Sequence, residues 1–232
     1  MNKLVEILKN SLPKYFIEQP STRKKVSFRP FTVKEEKNLI IANQTGSPND
    51  FLLTLTEVID SCFDLPENSK KLPVFDVEYF FISLRSKSIG EILQTTFVCP
   101  KTNEKINITL NLDDIKPVFD ENHKDTFNIG SKLNIKMKYP TIEYLLNTTN
   151  NDYYDMLVDC VEYIETKDEL IHSKEVSRET IIEFVENLSK KDFDMLINFF
   201  KTMPRIEKEI NYKTSDGADQ SIILKGMRDF FR

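Results

Sequence analysis

Two segments of this chain share one design although about a hundred residues separate them. The first is FVCPKTNEKINITL at 97–110, and the second is INYKTSDGADQSIIL at 210–224. Each contains an alternating strand, a polar turn and a second alternating strand, which is the pattern of a β-hairpin. An isolated hairpin leaves strand edges that proteins usually pair or cover. We therefore expect the two hairpins to meet in space and close one β-unit.

The two turns have the outline of a zinc ribbon without its ligands. A zinc ribbon needs two thiolate or imidazole ligands from each turn. The first turn contains Cys99 and no second ligand, and the second turn contains none. Because one thiolate cannot hold zinc alone, the sequence predicts a degenerate ribbon with neither metal nor cofactor.

The spacing of apolar residues changes along the chain. Between residues 93 and 139 apolar and polar residues alternate, which is typical of strands with one buried face, whereas the flanking regions show helical spacing. We predict an α+β fold, a helical body with an inserted small antiparallel β-module closed by a C-terminal degenerate zinc-ribbon-like hairpin. The predicted regions are 1–92 (hairpin and helices), 93–139 (β-module), 140–205 (helices) and 206–232 (ribbon-like hairpin and tail).

Polar residues that satisfy free backbone N–H groups mark several helix starts. Thr32 and Glu35 form a predicted capping box before one helix, and Ser47 caps the next, with Pro48 at its first position. Ser177 and Ser189 are predicted caps later in the chain.

Two further helices are predicted. Asp76 is predicted to cap a helix that ends before Gly90. Apolar residues at helical spacing between 153 and 164 predict a helix over that stretch.

The composition restricts the class of protein. Hydrophobic residues make up 40% and charged residues 30% of the 232 residues, and the net charge is -5. Dedicated nucleic-acid binders usually carry a strong basic excess, so this balance argues against one. No apolar run approaches the ~20 residues of a membrane span. Residues 1–13 lack the apolar core of a signal peptide, and the three cysteines suit a reducing compartment, so we expect synthesis in a cytoplasm.

Residues capable of catalysis are scattered. His123 and His172 lie in polar surroundings and are interpreted as neutral surface residues. Cys62 and Cys160 lie on helix faces as small core residues, with no base nearby to activate them. No phosphate-binding glycine pattern is present. The sequence therefore predicts a protein that is not an enzyme and has no small-molecule substrate.

Three segments resemble a known family. They are KKVSFRPFTVKEEK at 24–37, FDVEYFFISLRSKSIGE at 75–91 and LKGMRDFF at 224–231. Their order and spacing are similar to those of the baseplate hub proteins of T-even-like contractile-tailed phages, including the hub subunit implicated in hub assembly. Some relatives carry CxxC-like turns at the two hairpins, and this sequence departs from them there. The resemblance implies a non-enzymatic virion protein of the tail baseplate, assembled in the host cytoplasm with other hub and tail proteins as partners.

The resemblance and the residue types together suggest contact residues. The basic strand near Arg29 suits either an acidic partner or solvent, and cations near the end of a helix also suit its dipole. Phe230 and Phe231, close to the C-terminus, must dock either on the body of the protein or on a partner. The predicted partner-binding residues are Arg29, Pro30, Phe31, Arg85, Lys87, Phe230 and Phe231.

Two functions of different classes follow. The first is a structural or assembly protein of the baseplate hub that acts through protein–protein contacts, either kept in the finished virion or released after assembly. The alternative is a nucleic-acid-binding regulatory protein that uses the basic hairpin. A steep dependence of binding on salt would distinguish the second from the first.

Overall fold

The computed structural model describes residues 3, 7–8, 11–130, 132–148 and 152–226. The chain forms two compact units. The first contains residues 1–118 and 205–232, and the second contains residues 119–204. The second unit is thus an insertion in the first. Both combine helices with antiparallel sheets, so the predicted α+β class is confirmed.

The N-terminal part of the first unit packs a hairpin against helices. An aromatic stack forms its centre, in which Phe63 lies 4.7 Å from Phe28 on one side and 4.7 Å from Phe80 on the other, measured between ring centroids. Stacked aromatic pairs add to the free energy gained by burial. The elements are β1 (Tyr15–Glu18), β2 (Lys25–Phe28), α1 (Val33–Gln44), α2 (Pro48–Cys62) and α3 (Val74–Ser88).

The remaining strands of the first unit come from both sides of the insertion. Strand β3 (Ile92–Val98) pairs with β4 (Lys105–Asn111). In a separate sheet, β10 (Arg205–Lys213) lies between β5 (Pro117–Val118) and β11 (Asp219–Lys225). The pairing of β5 with β10 joins the two chain segments on either side of the second unit.

The two hairpins recognised in the sequence share one hydrophobic core. Leu93 and Leu110 from the first hairpin are buried in the same cluster as Ile206 and Leu224 from the second. No strand of one hairpin pairs with a strand of the other in the described sheets, so side chains join them. The two hairpins therefore meet through their side chains, but the prediction that they close one β-unit is wrong, because they belong to separate sheets. A zinc ribbon is not shown.

The second unit has a four-stranded antiparallel sheet covered by helices. The strands are β6 (Thr126–Ile129), β7 (Leu133–Met137), β8 (Val161–Glu165) and β9 (Leu170–His172). They pair in the order β6-β7-β8-β9, and the buried core includes Ile135, Leu157, Leu196 and Phe199. The helices are α4 (Ile142–Asn147), α5 (Tyr153–Cys160), α6 (Arg178–Glu186) and α7 (Lys190–Thr202).

The predicted helix over 153–164 is wrong in its second half. Helix α5 ends at Cys160, and the chain continues directly as β8. Val161 pairs with Met137, and Ile164 pairs with Ile135, on strand β7. β-branched residues suit a strand, and the pairing with β7 outweighs the helical spacing. Region 140–205, predicted to be helical, therefore also contains strands β8 and β9. The strands predicted as one β-module in 93–139 belong to two units, with β3 to β5 in the first and β6 and β7 in the second.

Asp76 does not cap a helix. Helix α3 begins earlier, at Val74, with Pro73 at the capping position. The Asp76 carboxylate is fully buried, and it accepts hydrogen bonds from Gln19 Nε2 at 2.7 Å and from the backbone N–H and hydroxyl of Ser21. Burial raises its pKa. Asp76 therefore fastens the turn between β1 and β2 to helix α3.

His123 is not an isolated surface residue. Its ring is half-buried, with Nδ1 2.9 Å from Thr202 Oγ1 and Nε2 2.9 Å from Tyr139 Oη. It also packs on Phe199, with ring centroids 5.1 Å apart. Burial lowers the pKa of His123, so the neutral form is favoured.

The other four predicted caps are confirmed. Glu35 accepts the backbone N–H of Thr32 at 2.7 Å, and Ser47 accepts that of Asp50 at 3.3 Å. Ser177 and Ser189 begin α6 and α7 in the same way. No helix in the described ranges is long and apolar enough to cross a membrane.

Candidate interaction surface

The loop after β2 is fastened to the ends of two helices. The backbone N–H of Arg29 donates to the carbonyl of Cys62, the last residue of α2, at 3.0 Å. The backbone N–H of Phe31 donates to Ser88 Oγ, at the end of α3, at 3.0 Å. Segments that are far apart in sequence therefore meet at one place in the first unit.

Arg29 has its partners inside the protein. Its guanidinium forms a two-point ion pair with Glu35, at 2.9 and 2.7 Å, and donates to the Ser61 carbonyl at 2.8 Å. Burial alone would raise the pKa of Glu35, but the hydrogen bonds from Arg29 and Thr32 outweigh it and lower the pKa to about 2. The ion pair fixes the shape of the loop, and the guanidinium N–H groups of Arg29 that bind Glu35 and Ser61 are not free to bind a partner.

Lys87 also binds within the first unit. Its ammonium lies 2.6 Å from Asp113 Oδ2 and 2.9 Å from Glu91 Oε1. The hydrogen bonds that Lys87 donates to Asp113 and Glu91 raise its pKa. Ser86 Oγ donates to the other oxygen of Asp113 at 2.6 Å. Lys87 thus links the end of α3 to the open end of the β3–β4 hairpin, since Glu91 precedes β3 and Asp113 follows β4.

Arg85 differs from both of these cations. The side chain is half-buried, and its Nη1 atom is buried without a hydrogen-bond partner among the described residues. Burial lowers the pKa of Arg85, because removal from water disfavours the charged form. Arg85 is therefore a desolvated cation with an unused donor.

One apolar side chain neighbours Arg85, and two others lie where the loop after β2 enters α1. Ile89 lies one helical turn further on and is 57% exposed, and residues four apart on a helix are neighbours. Phe31, fastened to Ser88, is half-buried, and Val33 at the start of α1 is 82% exposed. We define these four residues, Phe31, Val33, Arg85 and Ile89, as the loop–helix surface.

The structure separates the predicted contact residues into different environments. Phe31 and Arg85 belong to the loop–helix surface, whereas Pro30 is buried. Arg29 and Lys87 form internal ion pairs. Phe230 and Phe231 lie outside the described residues. Partner binding by all seven stays a prediction.

Sequence reasoning missed Val33 and Ile89. Val33 is the first residue of α1, where a side chain has no preceding turn to pack on, and Ile89 is the capping residue after α3. The sequence did contain a signal for Ile89. It is four residues after Arg85, so the two share a helix face, and it directly precedes Gly90, which ends the helix.

The junction of the two hairpins places Cys99 beneath an aromatic residue. The Tyr212 hydroxyl donates to Cys99 Sγ at 3.2 Å, and Phe97 packs edge-on against the Tyr212 ring. Hydrogen bonds from Thr102 and Tyr212 lower the pKa of Cys99 to about 7. The backbone N–H of Ser215 donates to Glu104 at 3.0 Å, which joins the two turns. The described ranges contain no group of three or more His, Cys, Asp or Glu residues that could hold a metal.

The basic hairpin mixes charges of both signs. Arg23 lies 3.2 Å from Glu18, and Lys14 lies 3.7 Å from Asp64. The ammonium of Lys25 lies over the ring of Phe16, 4.4 Å from its centroid. This arrangement lacks the continuous positive surface that phosphate backbones favour.

A protein-family model described as T4 bacteriophage base plate protein matches residues 12–232. The chain belongs to this family. No curated protein and no solved structure matches the chain significantly. The T4 base plate family is typically non-enzymatic and implies a structural or assembly role in the tail baseplate of the virion, with other baseplate and tail proteins as partners.

Proposed function

We propose that this baseplate protein is a hub subunit or hub assembly protein that acts through protein–protein contacts. The match to the base plate family covers both units and therefore supports a role for the whole folded chain. In this role the protein would be assembled in the host cytoplasm and would contribute shape and surface chemistry rather than catalysis.

One observation carries the hub proposal. Two of the segments that resemble hub proteins, 24–37 and 75–91, are distant in sequence, yet the hydrogen bond from Phe31 to Ser88 joins them. The internal Arg29–Glu35 pair fixes the shape of the loop. An exposed surface that is rigid before binding loses less entropy on association. We therefore assign the main contacts with neighbouring hub proteins to the loop–helix surface.

The junction of the two hairpins supports a structural interpretation of the degenerate ribbon. Where a zinc ribbon would use a metal, this chain has the Tyr212–Cys99 and Ser215–Glu104 hydrogen bonds. We propose that these contacts hold the two turns together without metal.

Co-expression tests the proposed function. The tagged chain is produced with each baseplate and tail protein of the same phage in turn, and complexes are isolated and weighed by native mass spectrometry. We expect a stoichiometric complex with at least one hub protein. Failure to bind any of them, at low and at physiological salt, would contradict the proposal.

Two further measurements refine the role. Mass spectrometry of purified virions shows whether the protein remains in the particle or is released after assembly. Binding to duplex DNA across a salt series tests the alternative. A dependence on salt corresponding to several phosphate contacts would favour the nucleic-acid regulator.

A further inference from the structure

Arg85 is exceptional among the arginines that the structure describes. The other four, Arg23, Arg29, Arg178 and Arg205, each form an ion pair with at least one carboxylate. Arg85 forms none with the described part of the chain, although its Nη1 is buried. An arginine usually projects into water or meets an anion, because removing its charge from water costs free energy.

The carboxylates that serve this end of α3 are already engaged. Glu91 and Asp113 both bind Lys87. Glu35, near the loop, binds both nitrogens of the Arg29 fork. Each of these three carboxylates therefore binds a cation other than Arg85.

We infer that Arg85 is the receptor for a carboxylate of a neighbouring baseplate protein, with Ile89 as its apolar flank. The inference rests on the proposed function and identifies the chemistry of the partner. A guanidinium presents parallel donors that match the two oxygens of a carboxylate. The occupant is thus an Asp or Glu side chain, or a chain-terminal carboxylate, next to an apolar residue that covers Ile89.

A carboxylate fits this position better than a nucleic-acid phosphate. Phosphate backbones are bound by several cations in a row, whereas Arg85 is a single cation next to the apolar Ile89. Charge complementarity to one guanidinium and burial of an apolar neighbour are features of the centre of a protein–protein interface.

The substitution Arg85→Met tests the inference because it separates binding from stability. Methionine retains the length and apolar stem of the side chain and removes a poorly compensated charge. The isolated variant should therefore melt at the same temperature as the natural protein or higher. Its affinity for the hub protein identified by co-expression should fall by about thirtyfold or more, as when one member of a buried charge pair is removed.

Arg178→Met serves as the matched control. Arg178 is engaged by Asp155 and Asp159 in the second unit, so this variant should bind the hub protein with unchanged affinity. In the reciprocal experiment, Arg85→Glu is combined with Asp→Arg or Glu→Arg variants of the hub protein. Recovery of binding by one such combination would identify the carboxylate and support the inference.

The outcomes distinguish this inference from the proposed function. If the natural protein binds no hub protein, the proposed function is wrong. If it binds and Arg85→Met binds equally well, only the carboxylate receptor is wrong. A third outcome is a lower melting temperature for Arg85→Met. If this loss is not additive with the loss caused by deleting residues 227–232, Arg85 binds a carboxylate of its own chain, and the inference is wrong. Loss of DNA binding in Arg85→Met would assign Arg85 to phosphate instead.

Discussion

The ion pair between Arg29 and Glu35 should make the first unit sensitive to acid. The pKa of Glu35 falls from 4.5 to about 2 on folding, a difference of about 2.5 units. At 1.36 kcal/mol per unit this corresponds to about 3 kcal/mol. Because the folded-state pKa is the lower one, this stabilisation is present above pH 4.5 and is lost as the pH falls towards 2. Glu35→Gln removes the charge and leaves the Arg29 side chain, which is 13% exposed, without its carboxylate.

We expect Glu35→Gln to lower the free energy of unfolding by about 3 kcal/mol at pH 7. For units of this size the melting temperature should fall by roughly 6–12 °C. The chain contains no tryptophan, so far-ultraviolet circular dichroism during urea and thermal unfolding is a suitable measurement. The difference between the two proteins should shrink between pH 5 and pH 2, since the natural Glu35 becomes protonated over that range.

Glu36→Gln is the control, because Glu36 lies in the same helical turn and forms no ion pair in the described chain. It should change the free energy of unfolding by less than about 0.5 kcal/mol. Equal losses in the two variants would refute the reasoning, as would a difference between Glu35→Gln and the natural protein that is undiminished at pH 2.

Three other predictions concern separate parts of the chain. Asp76→Ala should cost about 3 kcal/mol in urea unfolding, because it leaves buried donors of Gln19 and Ser21 unpaired; a loss below about 1 kcal/mol would contradict this. Elemental analysis of the dialysed protein should find no stoichiometric zinc, and one zinc per chain would overturn that prediction. Deleting residues 229–232 should leave the isolated protein folded and block its binding to hub proteins. Unchanged binding, together with a free energy of unfolding lowered by ~3–5 kcal/mol as when a buried phenylalanine is lost, would show the opposite.

Features encoded by neighbouring residues could be predicted from the sequence. The capping residues Thr32 and Ser47 act over three positions, so their effect is visible in a short window. The two hairpins were recognisable because alternation and turn residues are also local. Their meeting could be predicted as well, since each required a surface for its apolar face.

Features decided by distant partners could not be predicted in this way. Val161 and Ile164 suit both a helix face and a strand, and their pairing with β7 decides between the two. Asp76 has the residue type of a cap, but Gln19 and Ser21, more than fifty positions away, determine its role. The candidate surface shows the same limit. The sequence contains Arg29, Arg85 and Lys87 as similar cations, and only the fold shows which of them has no carboxylate partner within the described ranges.

The pairing of β5 with β10 has a consequence for the order of events during synthesis. The first unit needs Ile206 and Leu224 in its core, and these residues leave the ribosome only after the whole insertion of residues 119–204. At a translation rate of about 5–20 residues per second, this delay is on the order of several seconds. The middle of the chain can thus fold before its beginning, which waits with part of its apolar surface uncovered. The N-terminal region is therefore the part of the nascent protein with the longest opportunity to meet a chaperone.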